Sequence, residues 1–251
     1  MLDGKLYAAG GMSEDDEADD ATSNLVERYD PATKSWEAVA PLAAARYSHA
    51  VAVLNGKLYA VGGYNNGFLS SVERYDPIAN AWEEVAPMAS ARINHATAVL
   101  DGKLYAVGGC NGDDLPLPGS VERYDPALNA WQAVAPIATA RAAHAMAVLD
   151  GKLYAVGGYS NDGGVLSSVE RYDPATNAWE AVAPMALARF GAGVAALEGK
   201  LYAVGGRVEE DDEVDRPADT VERFDPATNA WEEVVPMETS VYRERPLLSP
   251  S

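Results

Sequence analysis

Short apolar runs alternate with turn residues along the whole chain. AVAVLNGKLYAVGG (Ala50–Gly63) is two apolar runs hinged at Asn55-Gly56, the two-residue signature of a β-hairpin. SVERYD (Ser71–Asp76) alternates apolar and polar positions and stops at Asp76-Pro77, a pair that ends a strand and opens a turn. AWEEVAPM (Ala81–Met88) alternates again before Pro87. This stretch predicts four short strands, and no 3.6-residue helical period appears anywhere in the 251 residues.

The stretch recurs. GKLYAAGG at Gly4–Gly11 returns as GKLYAVGG at Gly56–Gly63, Gly102–Gly109, Gly151–Gly158 and Gly199–Gly206. VERYDP or VERFDP follows, starting at Val26, Val72, Val121, Val169 and Val221. A tryptophan stands seven positions after each Tyr or Phe of that motif. Successive tryptophans are 46, 49, 48 and 52 residues apart, and a period near 50 marks a propeller, solenoid or array. A four-stranded antiparallel unit repeated radially is a propeller blade. The predicted fold is all-β, a single domain over residues 1–251.

Three features recur in every repeat. They are the glycine doublets Gly10-Gly11, Gly62-Gly63, Gly108-Gly109, Gly157-Gly158 and Gly205-Gly206; the aromatics Tyr29, Tyr75, Tyr124, Tyr172 and Phe224; and Trp36, Trp82, Trp131, Trp179 and Trp231. This combination resembles the kelch repeat, and the fuller wording is most similar to the kelch domains of BTB-kelch proteins. The resemblance implies a kelch-type β-propeller of four-stranded blades and a role as substrate-recruiting subunit of a cullin-3 ubiquitin ligase. Cullin-3 is an implied partner only if a BTB domain exists outside this sequence, which holds no BTB or BACK segment. An actin-associated kelch scaffold is the alternative, and a kelch-fold enzyme the less favoured one.

Five repeats predict five blades, with a truncated six-bladed relative as the alternative. The chain opens on the second strand of a blade, and the resemblance implies closure by the C-terminal segment, with Arg245–Ser249 as the run expected to supply the inner strand of blade 1. Pro246 makes that run a poor strand copy, since proline lacks a ladder donor.

Charge narrows the partners. With 19 basic and 38 acidic residues the net charge is −19, which argues against a nucleic-acid partner because a phosphate backbone needs a basic face. No apolar run approaches the ~18 residues of a membrane span. One cysteine excludes a disulfide framework, and the expected setting is the cytoplasm. Six carboxylates fall in Met12–Asn24 and seven in Arg207–Thr220. These loops belong to blades 1 and 5, so ring closure would make them neighbours. Neither has the residue order of a calcium loop.

A partner-binding site is read at two repeat positions. Arg46, Arg92, Arg141 and Arg189 occur once per repeat, and a radial array turns one position per blade into a ring around the channel mouth. Arginine forks match carboxylates bidentately, so such a ring would receive an acidic peptide. By the resemblance, arginines here and tyrosines after the glycine doublet contact acidic degron peptides in BTB-kelch adaptors. Tyr64 and Tyr159 follow a doublet, and Tyr47 and Phe190 follow an arginine. Those adaptors carry serines where this chain has Tyr47, Ile93, Ala142 and Phe190, so the same degron is not implied. The predicted partner is a peptide or loop of another protein.

No catalytic, metal or cofactor site is read. His49, His95 and His144 share one repeat position and are expected to be hydrogen-bonded on inner strands rather than to converge on a metal. Cys110 stands after a doublet and is expected to be an ordinary, exposed loop cysteine.

Overall fold

The computed structural model describes residues 1–13, 21–112, 119–162, 164–210 and 213–238, and the described residues contain strands but no helix. Blade 1 is β1 (Leu6–Ser13), β2 (Ala21–Asp30) and β3 (Ser35–Val39). Blade 2 is β4 (Ala50–Leu54), β5 (Lys57–Val61), β6 (Val72–Asp76) and β7 (Ala81–Val85). Blade 3 is β8 (Ala96–Leu100), β9 (Lys103–Val107), β10 (Val121–Asp125) and β11 (Ala130–Ala133). Blade 4 begins with β12 (Ala145–Leu149) and β13 (Lys152–Val156), and a small hairpin of β14 (Tyr159–Ser160) and β15 (Gly164–Val165) follows. It ends with β16 (Val169–Asp173) and β17 (Ala178–Val182). Blade 5 has β18 (Gly193–Leu197), β19 (Lys200–Val204), the hairpin β20 (Arg207–Glu210) and β21 (Glu213–Pro217), then β22 (Val221–Asp225) and β23 (Ala230–Val234).

Blades 2 to 5 are four-stranded antiparallel sheets in sequential order, and blade 1 has three strands among the described residues. The predicted hairpin at Asn55-Gly56 forms, with Leu54 opposite Lys57 and both turn residues at positive φ. The proposed closing strand, Arg245–Ser249, lies outside the described residues, as do most of the first acidic loop and part of the second.

The core lies between blades rather than within one. One cluster joins Tyr59, Val61 and Val72 of blade 2 to Leu104, Ala106 and Tyr124 of blade 3, and the same arrangement recurs between blades 3 and 4 and blades 4 and 5. Within it, the GKLY tyrosine of one blade meets the motif aromatic of the next. Tyr7–Tyr75, Tyr59–Tyr124, Tyr105–Tyr172 and Tyr154–Phe224 have ring centroids 5.9, 5.8, 5.7 and 5.9 Å apart. Such ring pairs add roughly 0.5–1.5 kcal/mol beyond their burial.

At the outer rim the tryptophans of blades 2 to 5 each reach back one blade. Trp82, Trp131, Trp179 and Trp231 donate Nε1–H to the carbonyls of Ala40, Ala86, Ala135 and Ala183. The amides of the same alanines donate to Asn80, Asn129, Asn177 and Asn229. The repeat spacing of Tyr and Trp is therefore the spacing of one rim joint.

The glycine doublets are set by close approach. Gly108 has φ +61°, and a Cβ there would lie 2.2 Å from the Arg141 carbonyl oxygen. Gly102 also has positive φ, +68°, but a Cβ there meets nothing within 4 Å. Gly102→Ala should cost about 1–2 kcal/mol, the strain of a left-handed backbone alone. Gly108→Ala carries the same strain plus a backbone collision, so urea unfolding should show at least ~2 kcal/mol more loss than for Gly102→Ala. Equal losses would mean the close approach is not a constraint.

Candidate functional site: one face of the propeller

The four repeat arginines do not form a surface receptor. Arg46, Arg92 and Arg141 are 0 % exposed and Arg189 is 1 % exposed. Each backbone belongs to one blade and each side chain to the next. The Arg92 carbonyl accepts from Gly63 N, and its amide donates to Leu69 O, both in blade 2. Its guanidinium enters blade 3, where Nη1 donates to Gly108 O at 2.8 Å and Ser120 O at 3.3 Å. Nη2 donates to Ser120 Oγ at 2.9 Å and Glu122 Oε1 at 2.6 Å. Arg46, Arg141 and Arg189 do the same with Glu73, Glu170 and Glu222, at 2.6, 2.8 and 2.7 Å.

Those carboxylates also accept two backbone N–H groups from the loop that carries the arginine: Ala89 and Ser90 for Glu122, Ala43 and Ala44 for Glu73. Burial pulls the Arg92 and Arg141 guanidinium groups below their ordinary pKa, and the paired glutamates pull them back up. With terminal nitrogens committed and no solvent contact, these side chains have nothing to offer an acidic peptide. The expectation of an arginine ring at the channel mouth is corrected: the ring exists, but turned inward.

Most of the other repeat cations are committed as well, Arg123 standing opposite Gln132 rather than a carboxylate. Lys5, Lys57, Lys103, Lys152 and Lys200 pair with Asp30, Asp76, Asp125, Asp173 and Asp225, holding each of these carboxyls below the usual range. Arg28, Arg74, Arg171 and Arg223 pair across strands with Glu37, Glu83, Glu180 and Glu232. In the VER motif of blades 2, 4 and 5, then, Glu serves the joint between blades and Arg serves its own blade.

What the face does present comes from the residues beside the arginines. The residue after each arginine forms a reciprocal backbone pair with the residue after the next doublet: Tyr47 with Tyr64, Ile93 with Cys110, Ala142 with Tyr159, and Phe190 with Arg207. One residue further in, a belt crosses from blade to blade, with Asn94 N donating to Ser48 O, Ala143 N to Asn94 O, and Gly191 N to Ala143 O. All four belt residues have φ between +50° and +61°.

On this frame sits an aromatic cluster. Tyr47 and Tyr64 have ring centroids 5.4 Å apart, and Phe68 meets Tyr64 edge-on at 5.3 Å. Tyr47 and Tyr64 are half-buried, and Phe68 is exposed. Tyr159 is half-buried on blade 4, away from this cluster in the sequence of blades, and Phe190 is buried. The sequence pattern singled out Tyr47 and Tyr64 but passed over Phe68, because Phe68 occupies no repeat position. Its contact with Tyr64 comes from the short bridge that folds the loop back on itself.

Two smaller expectations change. Cys110 is buried, not exposed. The nitrogens of His144 find no hydrogen-bond partner in its interior position, where packing replaces the expected hydrogen bond. Burial, and after it the Arg141 charge, push its pKa down to about 3.

A radial array of blades with side chains displayed from loops on one face is a β-propeller of the interaction type. A family model described as Kelch motif matches residues 1–43, 45–89, 91–137, 140–186 and 188–238, so the chain belongs to the kelch-repeat family. Kelch-like protein 36 of Bos taurus is 44% identical over 72 residues, which is 28% of this chain and 12% of that protein. An F-box/kelch-repeat protein of Arabidopsis thaliana is 41% identical over 66 residues, 26% of this chain and 13% of that protein. The matches thus span about an eighth of the length of these relatives. The solved structure of YjhT superposes with a TM-score of 0.76 at 17% identity, covering 93% of this chain and 82% of that one, which supports the fold.

The interior histidine carries a pH signature. Its folded pKa of about 3 lies below the ordinary 6.5, so the unfolded chain binds the proton more readily. Stability from His144 is complete above pH 6.5 and is lost as pH falls toward 3, at up to ~1.4 kcal/mol per pH unit. Urea midpoints measured from pH 7 to 4 should fall less steeply for His144→Gln than for the parent, and parallel slopes would contradict the assignment.

Proposed function

We propose that this propeller binds a peptide or loop of another protein on the face that carries Tyr47, Tyr64 and Phe68, as the substrate-recognition part of a cullin-3 ubiquitin ligase whose cullin-binding domain lies outside these residues. The family supports a protein-interaction propeller, and the similarity to kelch-like proteins supports the ligase setting. The observation that carries the reading is the aromatic cluster, three rings in contact, one of them exposed, on a rigid hydrogen-bonded frame. Large rigid aromatics at the centre of a face are the usual anchors of binding energy.

The chemistry of the partner follows from the charge inventory. The joint arginines are buried, the repeat lysines are paired, and the chain retains a net −19. An acidic degron therefore finds no free arginine ring. A segment with apolar or aromatic side chains and a basic flank suits the face better.

A display library of random peptides, selected on the parent protein, tests this. Selected peptides should lose ~30-fold or more in affinity for Tyr64→Ala/Phe68→Ala, the loss of about 2 kcal/mol expected of an anchor pair, with the thermal midpoint little changed. Peptides that bind parent and variant alike would place recognition elsewhere.

A further inference from the structure

The loop after the second glycine doublet runs from Gly63 to Leu69 through Tyr64-Asn65-Asn66-Gly67-Phe68. Two backbone bonds close it: Leu69 N donates to Gly63 O at 2.8 Å, and Asn65 N donates to Gly67 O at 3.0 Å. They form the bridge that sets Phe68 edge-on against Tyr64. At its tip Asn66 is exposed with φ +51°, and its side-chain amide makes one long contact, 3.5 Å, to Asn65 Oδ1. The Gly67 N–H that follows donates to no group among the described residues.

An asparagine before a glycine is exposed to attack by its own chain, because glycine has no side chain to screen its nitrogen. The fold does not ask for a glycine here. The φ of Gly67 lies outside the left-handed region, and a Cβ there would meet nothing within 4 Å. Gly56, in the hairpin after Asn55, stands at φ +69°.

We propose that Asn66-Gly67 is a self-modification site, where Asn66 converts to aspartate and isoaspartate and the isoaspartate form takes the aromatic cluster apart. Solvent base removes the Gly67 amide proton, and the nitrogen attacks the Asn66 side-chain carbonyl carbon. A new C–N bond forms to Gly67, the bond to the side-chain nitrogen breaks, and ammonia leaves with a proton returned by water. The resulting succinimide takes up one water. Breaking the new bond gives aspartate, and breaking the original peptide bond gives isoaspartate, whose chain runs through the side-chain methylene. Water is the only co-reactant, and nothing is oxidised or reduced.

The structure separates this pair from Asn55-Gly56. Ring closure needs a rotation about the Asn Cα–C bond that brings the glycine nitrogen onto the side-chain carbonyl. At Asn55 that rotation works against a hairpin of five paired positions in β4 and β5. At Asn66 it works against the two bonds of one loop, and backbone held by fewer bonds opens more readily. Asn111-Gly112 adjoins residues outside the described ones. Isoaspartate at position 66 adds a backbone atom between Tyr64 and Phe68 and leaves a carboxylate at the tip. The bond from Asn65 N to Gly67 O spans the altered residue, so the bridge and the ring contact go with it. The effect on a partner rests on the reading of this cluster as the binding face, whereas the conversion does not.

The test holds purified protein at mildly alkaline pH and maps it by peptide mass and by enzymatic methylation of isoaspartate. Conversion at Asn66 should rise with pH and outrun that at Asn55 by about tenfold or more. Gly67→Ala should slow Asn66 by a similar factor, leave Asn55 unchanged and keep the thermal midpoint at or slightly above that of the parent. Equal rates at Asn55 and Asn66, or an Asn66 that stays intact, overturn the proposal. In the isoaspartate form the Leu69 amide should exchange with solvent faster than in fresh protein, and unchanged exchange contradicts the loss of the cluster. Peptides selected on fresh protein should bind the aged parent less, in proportion to its isoaspartate content, and bind aged Gly67→Ala as before. Peptides that need Tyr64 and Phe68 yet bind the isoaspartate form fully contradict the disruption. Peptides indifferent to Tyr64→Ala/Phe68→Ala remove the binding reading instead, and the mass map and amide exchange still decide the modification.

Discussion

An arginine whose backbone belongs to one blade and whose guanidinium is buried in the next holds this propeller together. Arg92 shows the constraint in full: its carbonyl is fixed by Gly63, and its side chain is held by Gly108, Ser120 and Glu122. Glu122 in turn binds the backbone of the loop that delivers the arginine. A buried ion pair is a poor source of net stability compared with apolar packing, but removing one partner leaves an uncompensated charge and costs several kcal/mol. Such a joint therefore enforces position. Blades can meet in one register, since any slip strands a charge.

The remaining repeat features follow from that joint. The first glycine of the doublets in blades 1 to 4 is small because an arginine carbonyl lies against it, as at Gly108. The hydroxyl residue two positions before each joint glutamate is there to accept from the arginine. At the rim the Tyr, Asn and Trp spacing makes a second, neutral joint, with Tyr75 and Asn80 linked to each other and to blade 1. A frame fixed at both radii leaves the loops after each doublet free to differ. Tyr64 and Phe68 stand on such a loop and meet Tyr47 of the incoming segment without disturbing the blade beneath.

The fold was legible because identical units repeat: the Asn-Gly hairpins, the Asp-Pro stops and the Trp spacing each have a local physical cause. The role of the arginines was harder to read. One position per blade does make a ring, but sequence alone does not say whether a side chain turns toward the channel or into the next blade. A signal was present all the same. Blades 2 to 5 each pair an arginine in the incoming loop with a contiguous Ser/Thr-Val-Glu, and the two turn up together. Phe68 left no trace of this kind, because its neighbours come from a loop conformation outside the repeat.

The claim that the arginine and glutamate act as one joint is tested most directly by a double-mutant cycle on Arg92→Met and Glu122→Gln, with stability measured by urea unfolding. The expected result is that Arg92→Met alone costs about 3 kcal/mol or more and that the two changes couple by about 2 kcal/mol. Additive losses, or an Arg92→Met variant within about 1 kcal/mol of the parent, would contradict it, since an arginine so easily spared would not be what fixes one blade to the next.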